Sequence, residues 1–382
     1  NQPTRRNPIV KFRVERDVLA DAVAWAARSL PVRPSVPVLA GLLIEATDDG
    51  LVLSSFDYET SARATLSAQV SDEGRALVSG RLLADICRSL PAKPVDMVLD
   101  GARVSLTCGS ARFSLQTMPV EDYPSLPDMP AATGTVDAEG FAHAVAQAVT
   151  AAGRDDMLPV LTGVRIEIDG DTISLLATDR FRLSHRELAW HPRTPDESAA
   201  ALVPARVLGD TAKSLTAGGE VTIALATTGT GEGIIGFEGQ APGGVRRTTT
   251  RLLDGEFPKV RSLFPSEHQT TAVVDKAALV ESVKRVALVA ERNTAIQLAF
   301  SDGVLTGDEA QASESIEATI EGEDITTGFN PQFLLDGLTA IDQPVVELAF
   351  TQASKPVVVS GRGDDQDDPS FRYLLMPRRL LS

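Results

Sequence analysis

Val14-Glu15-Arg16-Asp17-Val18-Leu19-Ala20-Asp21-Ala22-Val23 recurs as Val136-Asp137-Ala138-Glu139-Gly140-Phe141-Ala142-His143-Ala144-Val145, and again as Val274-Asp275-Lys276-Ala277-Ala278-Leu279-Val280-Glu281-Ser282-Val283. The successive offsets are 122 and 138 residues. Val38-Leu39-Ala40-Gly41 returns as Val160-Leu161-Thr162-Gly163, also 122 residues on. Two separate motifs that keep one offset mark a tandem duplication. The period is longer than the roughly 20–50 residues of a solenoid unit. It matches a whole domain of about 100–150 residues. The 382-residue chain is therefore expected to carry three copies of one domain.

Each copy presents its elements in one order. An amphipathic helix comes first, expected over 17–30, 138–152 and 276–291, with Val18, Ala22 and Trp25, or Leu279, Val283, Val286 and Val289, at helical spacing. Pro31 and Pro34 stop the first of these and Gly153 the second. A hairpin follows: Leu42 to Glu45, Asp49-Gly50, then Leu51 to Leu53; Val164 to Ile168, Asp169-Gly170, then Thr172 to Leu175; Ile296 to Phe300, Asp302-Gly303, then Val304-Leu305. A second helix is expected near Ser79–Ile86, Val203–Asp210 and Asn330–Asp336, with Asp85, Asp210 and Asp336 spaced by 125 and 126 residues. Alternating strands such as Val104–Thr107 and Arg112–Leu115 close the copy. The class is α+β with a mainly antiparallel sheet. Pro-rich stretches at Glu121–Pro130 and Phe257–Pro265 mark the linkers, giving domains at 9–130, 131–265 and 266–382 behind a disordered leader at 1–8.

Composition excludes several classes. Hydrophobic content of 43% and charged content of 23% are those of a soluble globular chain. No run approaches the ~18 apolar residues of a membrane helix, so no membrane partner is expected. Asn1 to Asn7 is polar and basic without an apolar core, which is not a secretory signal. Cys87 and Cys108 are too few for a disulfide framework or zinc site, and a reducing, cytoplasmic setting fits them.

The segments Arg33-Pro34 with Pro37-Val38-Leu39, Phe56-Asp57-Tyr58-Glu59, Arg112-Phe113-Ser114-Leu115 with Met118-Pro119, and Ala177-Thr178-Asp179-Arg180-Phe181-Arg182-Leu183 carry a specific resemblance, as do Gly328-Phe329-Asn330 and Tyr373-Leu374-Leu375-Met376-Pro377. From Ile9 to Leu380 the chain resembles the bacterial sliding clamps, the beta subunit of the replicative DNA polymerase. Ala151 to Asp156 and the composition look actinobacterial. The resemblance implies a DNA clamp fold in a ring-shaped, head-to-tail homodimer with helices around a central hole. It implies that the ring tethers the polymerase, the clamp loader and repair proteins to double-stranded DNA without reading sequence. Phe113 and Leu115 match the apolar side of the dimer joint, and Leu288 and Val289 its partner helix. Ordinary core roles suit these four equally well.

The charge pattern agrees with such a ring. The chain carries −16, which taken alone disfavours a polyanion. Yet the six helical segments together carry +2, leaving −18 elsewhere. A few phosphate contacts would position the protein without reading bases and would weaken in salt. Candidates are Arg33, Arg81, Arg88, Lys93, Arg154, Arg206, Lys213, Lys284, Arg285 and Arg292, each of which also suits a plain solvated surface. Segment 331–342 carries −2 and is expected to make little contact.

The resemblance further implies a peptide pocket between the second and third domains. Leu161, Thr178, Arg180, Phe181, Arg182, Leu183, Pro258 and Leu263 match one side. Asn330, Phe333, Ser354, Pro356, Leu374, Met376, Pro377, Arg379 and Leu380 match the other. An apolar groove with a few polar anchors suits a short motif carrying Leu, Phe and Gln. Arg378 departs from the family, which carries Val or Met there, and Leu381-Ser382 runs past the usual end. Arg378 either points outward or alters the pocket, as in a paralogue that tolerates a clamp-binding antibiotic.

Signals for an enzyme are weak. His143, His185, His191 and His268 lack metal spacing. Gly229-Thr230-Gly231-Glu232-Gly233 lacks the Lys-Ser/Thr of a phosphate loop and reads as a turn. Asp364 to Asp368 reads as a solvated acidic loop. Arg362-Gly363-Asp364 matches an adhesion tripeptide by coincidence. No cofactor, metal or catalytic residue is expected. A three-domain hydrolase or ligand-binding protein stays as the alternative of another class and would need convergent titratable groups in a cleft.

Overall fold

Each copy begins with a strand that ends at a helix start. Val10, Phe12 and Val14 alternate inward along Val10–Val14, and Thr270–Asp275 repeats the pattern. The computed structural model describes residues 10–227, 233–292, 294–309, 311–363 and 370–379. The leader at 1–8, most of the Gly229–Gly233 turn, the Asp364–Asp368 run, Leu380 and Leu381-Ser382 lie outside the described residues.

Six α-helices occur among them: α1 Arg16–Ala27, α2 Gly80–Ser89, α3 Ala138–Ala148, α4 Ala205–Ser214, α5 Lys276–Ala287 and α6 Pro331–Ala340. Side chains fix several starts. Asp137 accepts from the Gly140 amide at 2.8 Å, and Asp275 from the Ala278 amide at 2.8 Å. These bonds satisfy amides that a first helical turn leaves unpaired. The first helix of each copy ends three or four residues short of its sequence expectation. Arg28, Ala152 and Leu288 instead donate to the carbonyls of Trp25, Val149 and Arg285, which tightens the end into an i→i+3 turn. α1 buries Leu19, Ala22, Val23, Trp25 and Ala26. Each large side chain so buried contributes roughly 1.5–3 kcal/mol.

The three expected hairpins are present, pairing Gly41–Thr47 with Gly50–Phe56, Gly163–Asp169 with Thr172–Thr178, and Ile296–Ser301 with Val304–Glu309. Gly170 and Gly303 take φ of 57° and 75° at the tips, which only glycine adopts without strain. All strand pairings between described residues are antiparallel.

In space the described residues fall into two compact units. One holds the first copy and the start of the middle one up to Ala142, with His191–Thr194 and Asp210–Leu252, and the other holds His143–Trp190, Pro195–Gly209 and the chain from Leu253. Repeat and compaction thus divide the chain differently, and strand pairing explains why. Within the first unit, Gly244–Arg251, the last strand of the middle copy, pairs with Thr60–Leu66 of the first copy inside a 14-stranded sheet. Within the second unit, Phe371–Leu375, the last strand of the third copy, pairs with Arg182–Ala189 of the middle copy inside a 9-stranded sheet. The middle copy gives one strand to each joint. A 4-stranded sheet completes the second unit.

Candidate peptide groove and nucleic-acid interface

Thr178 ends its strand at Asp179, whose carboxylate turns the chain. Asp179 Oδ1 accepts from the amides of Phe181 and Arg182, both at 3.0 Å, while Thr178 Oγ1 accepts from the Arg180 amide at 3.2 Å. Arg180 is left at φ 77°. Phe181 points out, 54% exposed, and Arg182 points in, 9% exposed. Arg182 donates to Asp179 at 3.0 Å and Asp336 at 2.6 Å, and lies 4.3 Å over the Phe333 ring. Burial alone would pull the Arg182 guanidinium down; Tyr373, Asp336 and Asp179 outweigh it and hold it above its ordinary value. Burial pushes the Tyr373 phenol up, so it stays neutral and donates to the Phe333 carbonyl at 2.7 Å.

The opposite wall is α6 and the C-terminal strand. Asn330 caps α6 by accepting from the amides of Gln332 at 2.9 Å and Phe333 at 3.2 Å. The Phe333 ring stacks on Phe181 at 6.1 Å between centroids. Met376, 38% exposed, donates its amide to the Phe181 carbonyl at 2.9 Å. Two residues on, the Arg378 amide donates to Gly328 at 2.7 Å. The result is an apolar lip of Phe181, Phe333 and Met376 supported by a buried ionic strut.

The sequence-derived pocket residues divide accordingly. Phe181, Leu263, Met376, Pro258, Ser354, Arg180, Arg378 and Arg379 are exposed. Phe333, Pro356 and Pro377 are half-buried. Leu161, Thr178, Arg182, Leu183, Asn330 and Leu374 are buried rather than exposed at the surface. Sequence reading missed Asp179, Asp336 and Tyr373, which hold Arg182; the Asp-x-x-Arg spacing was the only available signal.

The linker segment Leu253–Pro265 covers the neighbouring sheet face. Phe257 and Val260 are buried among Leu176, Leu183 and Leu374. Arg261 clamps Glu167 at 2.6 and 3.0 Å, and Arg165 reaches the same carboxylate at 2.8 Å. Burial would raise Glu167; the bonds from Arg165 and Arg261 hold it below the usual carboxylate range. A cavity of about 390 Å³ lies beside this strap, with Pro258 and Leu176 in its lining.

All ten candidate DNA cations are exposed. Three are engaged with carboxylates: Arg88 with Asp85, Lys284 with Glu281 at 3.5 Å, and Arg285 with Glu314 through Nε at 2.8 Å. No ion pair occurs for Arg33, Arg81, Lys93, Arg154, Arg206, Lys213 or Arg292 among the described residues. Arg28 is exposed where α1 ends, and Arg246, 5.2 Å over Trp25, adds positive charge that segment counting left out. Arg246 comes from a strand distant in sequence.

At the expected dimer joint, Leu115 is 2% exposed and belongs to the core of its own copy, whereas Phe113 is half-buried. Leu288 is 82% exposed and Val289 39%. Ala111–Met118 pairs along one side with Arg103–Cys108, but on its other side only Thr117 and Met118 are paired, with Val78 and Leu77. Ala312–Glu317 ends the 4-stranded sheet.

Three repeated α+β modules, fused by antiparallel joints and carrying an apolar lip, define a DNA-clamp architecture. Family models for the DNA polymerase III beta subunit match the N-terminal domain at residues 10–127, the central domain at 135–259 and the C-terminal domain at 261–379. The chain belongs to this family, the beta sliding clamps, which are non-catalytic processivity factors of DNA replication and typically ring-shaped homodimers. It is 59% identical to the Streptomyces coelicolor beta sliding clamp over 97% of this chain and 100% of that one. It is 44% identical to the beta sliding clamp homolog GriR of Streptomyces muensis, with 97% and 100% covered. The Thermotoga maritima DNA polymerase III beta subunit has the same fold, with TM-score 0.86 at 26% identity, covering 97% of this chain and 100% of that one. A griselimycin-bound Pseudomonas aeruginosa clamp matches the fold with TM-score 0.87 at 24% identity over 97% and 100%. No described helix is long and apolar enough to cross a membrane, and no group of three or more His, Cys, Asp or Glu among the described residues could hold a metal ion.

Proposed function

We propose that two copies close head to tail into a ring around duplex DNA and tether replication and repair proteins through the Phe181–Met376 groove. The pairing rule of the joints carries this reading. In two cases the strand after a module's turn receives the last strand of the next module: Thr60–Leu66 receives Gly244–Arg251, and Arg182–Ala189 receives Phe371–Leu375. The third such strand, Ala312–Glu317, is left on an edge, and the last strand of the first module keeps an open edge over 111–116. An open edge recruits a strand from another chain. One copy's Ala312–Glu317 therefore receives the second copy's Ala111–Met118, and two such joints close the ring. Phe113, Leu288 and Val289 then lose water at the joint. The module limits stay in the two Pro-rich linkers, and the setting is the cytoplasm at the nucleoid.

Within the ring, the unpaired cations hold phosphates loosely, so topology rather than affinity keeps the clamp on DNA. Size-exclusion chromatography with light scattering should give a dimer, and the protein should stay on circular DNA but run off linear DNA. A monomer, or equal loss from both forms, rejects the ring. The 59% identity to the S. coelicolor clamp, against 44% to GriR, favours the general replicative role. The second reading, a paralogue with an altered groove, is favoured by Arg378 alone. Griselimycin binding as tight as that of a sensitive clamp removes it.

A further inference from the structure

We propose that a cleft on the sheet face of the first joint binds a flat aromatic ring carrying a phosphate, a ligand of about mononucleotide size. Arg63 of the first copy and Arg247 of the middle copy form its walls.

Three observations carry it. The first is the cavity. Strand alternation puts Arg63 and Thr65 on one face, with Arg247 and Val245 opposite them across the joint. These four side chains and Glu238 from the next strand line a cavity of about 300 Å³. That volume stands at the small end of ligand pockets and admits one ring with its anionic group.

The second is the charge. Arg63 pairs directly with Arg247 in the ladder, and like charges so placed destabilise a sheet. Arg247 is committed, because its Nε donates to Glu238 at 2.6 Å. The exposed Arg63 side chain makes no ion pair, hydrogen bond or ring contact among the described residues. Two guanidinium groups against one carboxylate leave a positive charge facing the cavity. A guanidinium presents a planar fork of donors that matches a phosphate. A phosphate between the two arginines relieves their repulsion and ties the first copy to the middle one.

The third is the sister joint. Arg63 and Arg247 lie three residues in from the Thr60–Thr250 pair, and His185 and Arg372 lie three residues in from the Arg182–Leu375 pair. His185 is 122 residues beyond Arg63, the offset of the repeat. At this second joint the basic pair is covered by a ring. Arg372 donates to His185 Nδ1 at 3.1 Å and lies 4.2 Å from the Phe264 centroid, and the His185 ring is 5.9 Å from the same ring. Phe264 belongs to the second linker. In the first linker Tyr123-Pro124 matches Phe257-Pro258, which puts Pro130 at the place of Phe264. No cation–π contact forms at Arg63 or Arg247 among the described residues. The seat that an aromatic side chain fills at one joint is open at the other, and a guanidinium face attracts an aromatic ring. A ring from outside the chain takes that seat while its phosphate meets Arg63.

The test uses the full-length protein and isothermal titration with deoxyadenosine monophosphate, deoxyadenosine and inorganic phosphate. The monophosphate should bind about tenfold tighter than either fragment, because stacking and charged hydrogen bonds then act together. Arg63→Gln should weaken it about tenfold, and the free variant should melt no lower than the parent, since a like-charge pair is removed. Arg63→Lys should fall between the two, because it keeps the charge and loses the planar fork. A second arm with O-phosphotyrosine amide separates two sources of the same chemistry. Tighter binding of the nucleotide assigns the seat to a free nucleotide, and tighter binding of the phosphotyrosine to a modified side chain; either ranking upholds the aromatic-phosphate reading. Equal affinity for the monophosphate and for either of its fragments overturns the proposal. Monophosphate binding that Arg63→Gln leaves unchanged also overturns it, because the ligand then lies elsewhere. Failure of both aromatic phosphates to bind at millimolar concentration overturns it outright.

Discussion

The turn at Asp57 and the turn at Asp179 have the same backbone and different uses. Asp57 accepts from the amides of Glu59 and Thr60 at 2.9 and 2.7 Å, as Asp179 does from Phe181 and Arg182. Tyr58 and Arg180 both sit at positive φ, 73° and 77°. The strands that follow are zipped differently. At the first joint Thr60 bonds Thr250 at 3.0 Å and Ser61 meets Thr249, with Thr248, Thr249 and Thr250 all buried. Two hydroxyl pairs thus bridge the strands at that end of the joint. At the second joint Leu183 faces Leu374 and Arg182 faces Leu375. The aromatic groups differ in the same sense. Phe56 is buried against Tyr58, whereas Phe181 stands half in solvent against Phe333. One duplicated turn thus serves as a seam in one place and a lip in another, and the side chains after the aspartate decide which.

The sharpest way to break this comparison is to remove the strut. Arg182→Ala leaves Asp336, Asp179 and the Phe333 face without their cation in a buried setting. Losing one partner of a buried ion pair costs about 3–5 kcal/mol. Thr60→Ala, at the matching place in the first turn, removes one neutral hydrogen bond worth about 1 kcal/mol. Chemical denaturation of both variants should show that gap. Equal costs would mean that the two turns are supported alike.

Next in size is the lip itself. Phe181→Ala should weaken a Leu/Phe motif peptide by about 2 kcal/mol, roughly thirtyfold, as for a buried aromatic anchor. Tyr58→Ala, in the sister turn, should leave peptide affinity within twofold. Isothermal titration of both variants checks this, and a matching loss at Tyr58 would place a second groove at the first joint.

Local chemistry was legible in the sequence, and long-range register was not. Asp-Gly tips and the threefold helix start could be read because each depends on residues a few positions apart. The end of the third of these helices was overread because Leu288 and Val289 continue the apolar pattern, while the amides of Arg28 and Leu288 switch to i→i+3 acceptors. Arg182 was read as a groove residue from its place in the family motif alone. Three acceptors separated from it by up to 191 positions draw it in. The Glu167–Arg261 clamp spans 94 positions and left no sequence trace. The charge separation was visible as a sum, but the pairings of Lys284 and Arg285 that reduce it were not.

The two linkers extend the contrast and give the smallest effect. The first, through Val120 and Tyr123, packs on Val38, Leu43, Phe56 and Leu77, an apolar seal in which burial pushes the Tyr123 phenol up and keeps it neutral. The second is held partly by Glu167, whose folded value is depressed by Arg165 and Arg261 against the pull of burial. A depressed carboxylate contributes stability above its unfolded value near pH 4.3 and loses it as pH falls through the lower folded value. Glu167→Gln should therefore cost about 1 kcal/mol at neutral pH, because the carboxylate is only partly shielded from water. The difference from the parent should close well below about pH 4. Hydrogen exchange should localise it. The amides of Leu263 and Phe264, bonded to Val260 and Arg261, should exchange faster in the variant at neutral pH, while those of Asp122 and Tyr123 in the first linker keep their rates. Equal acceleration in both linkers would show that the clamp acts on global stability rather than on its own strap.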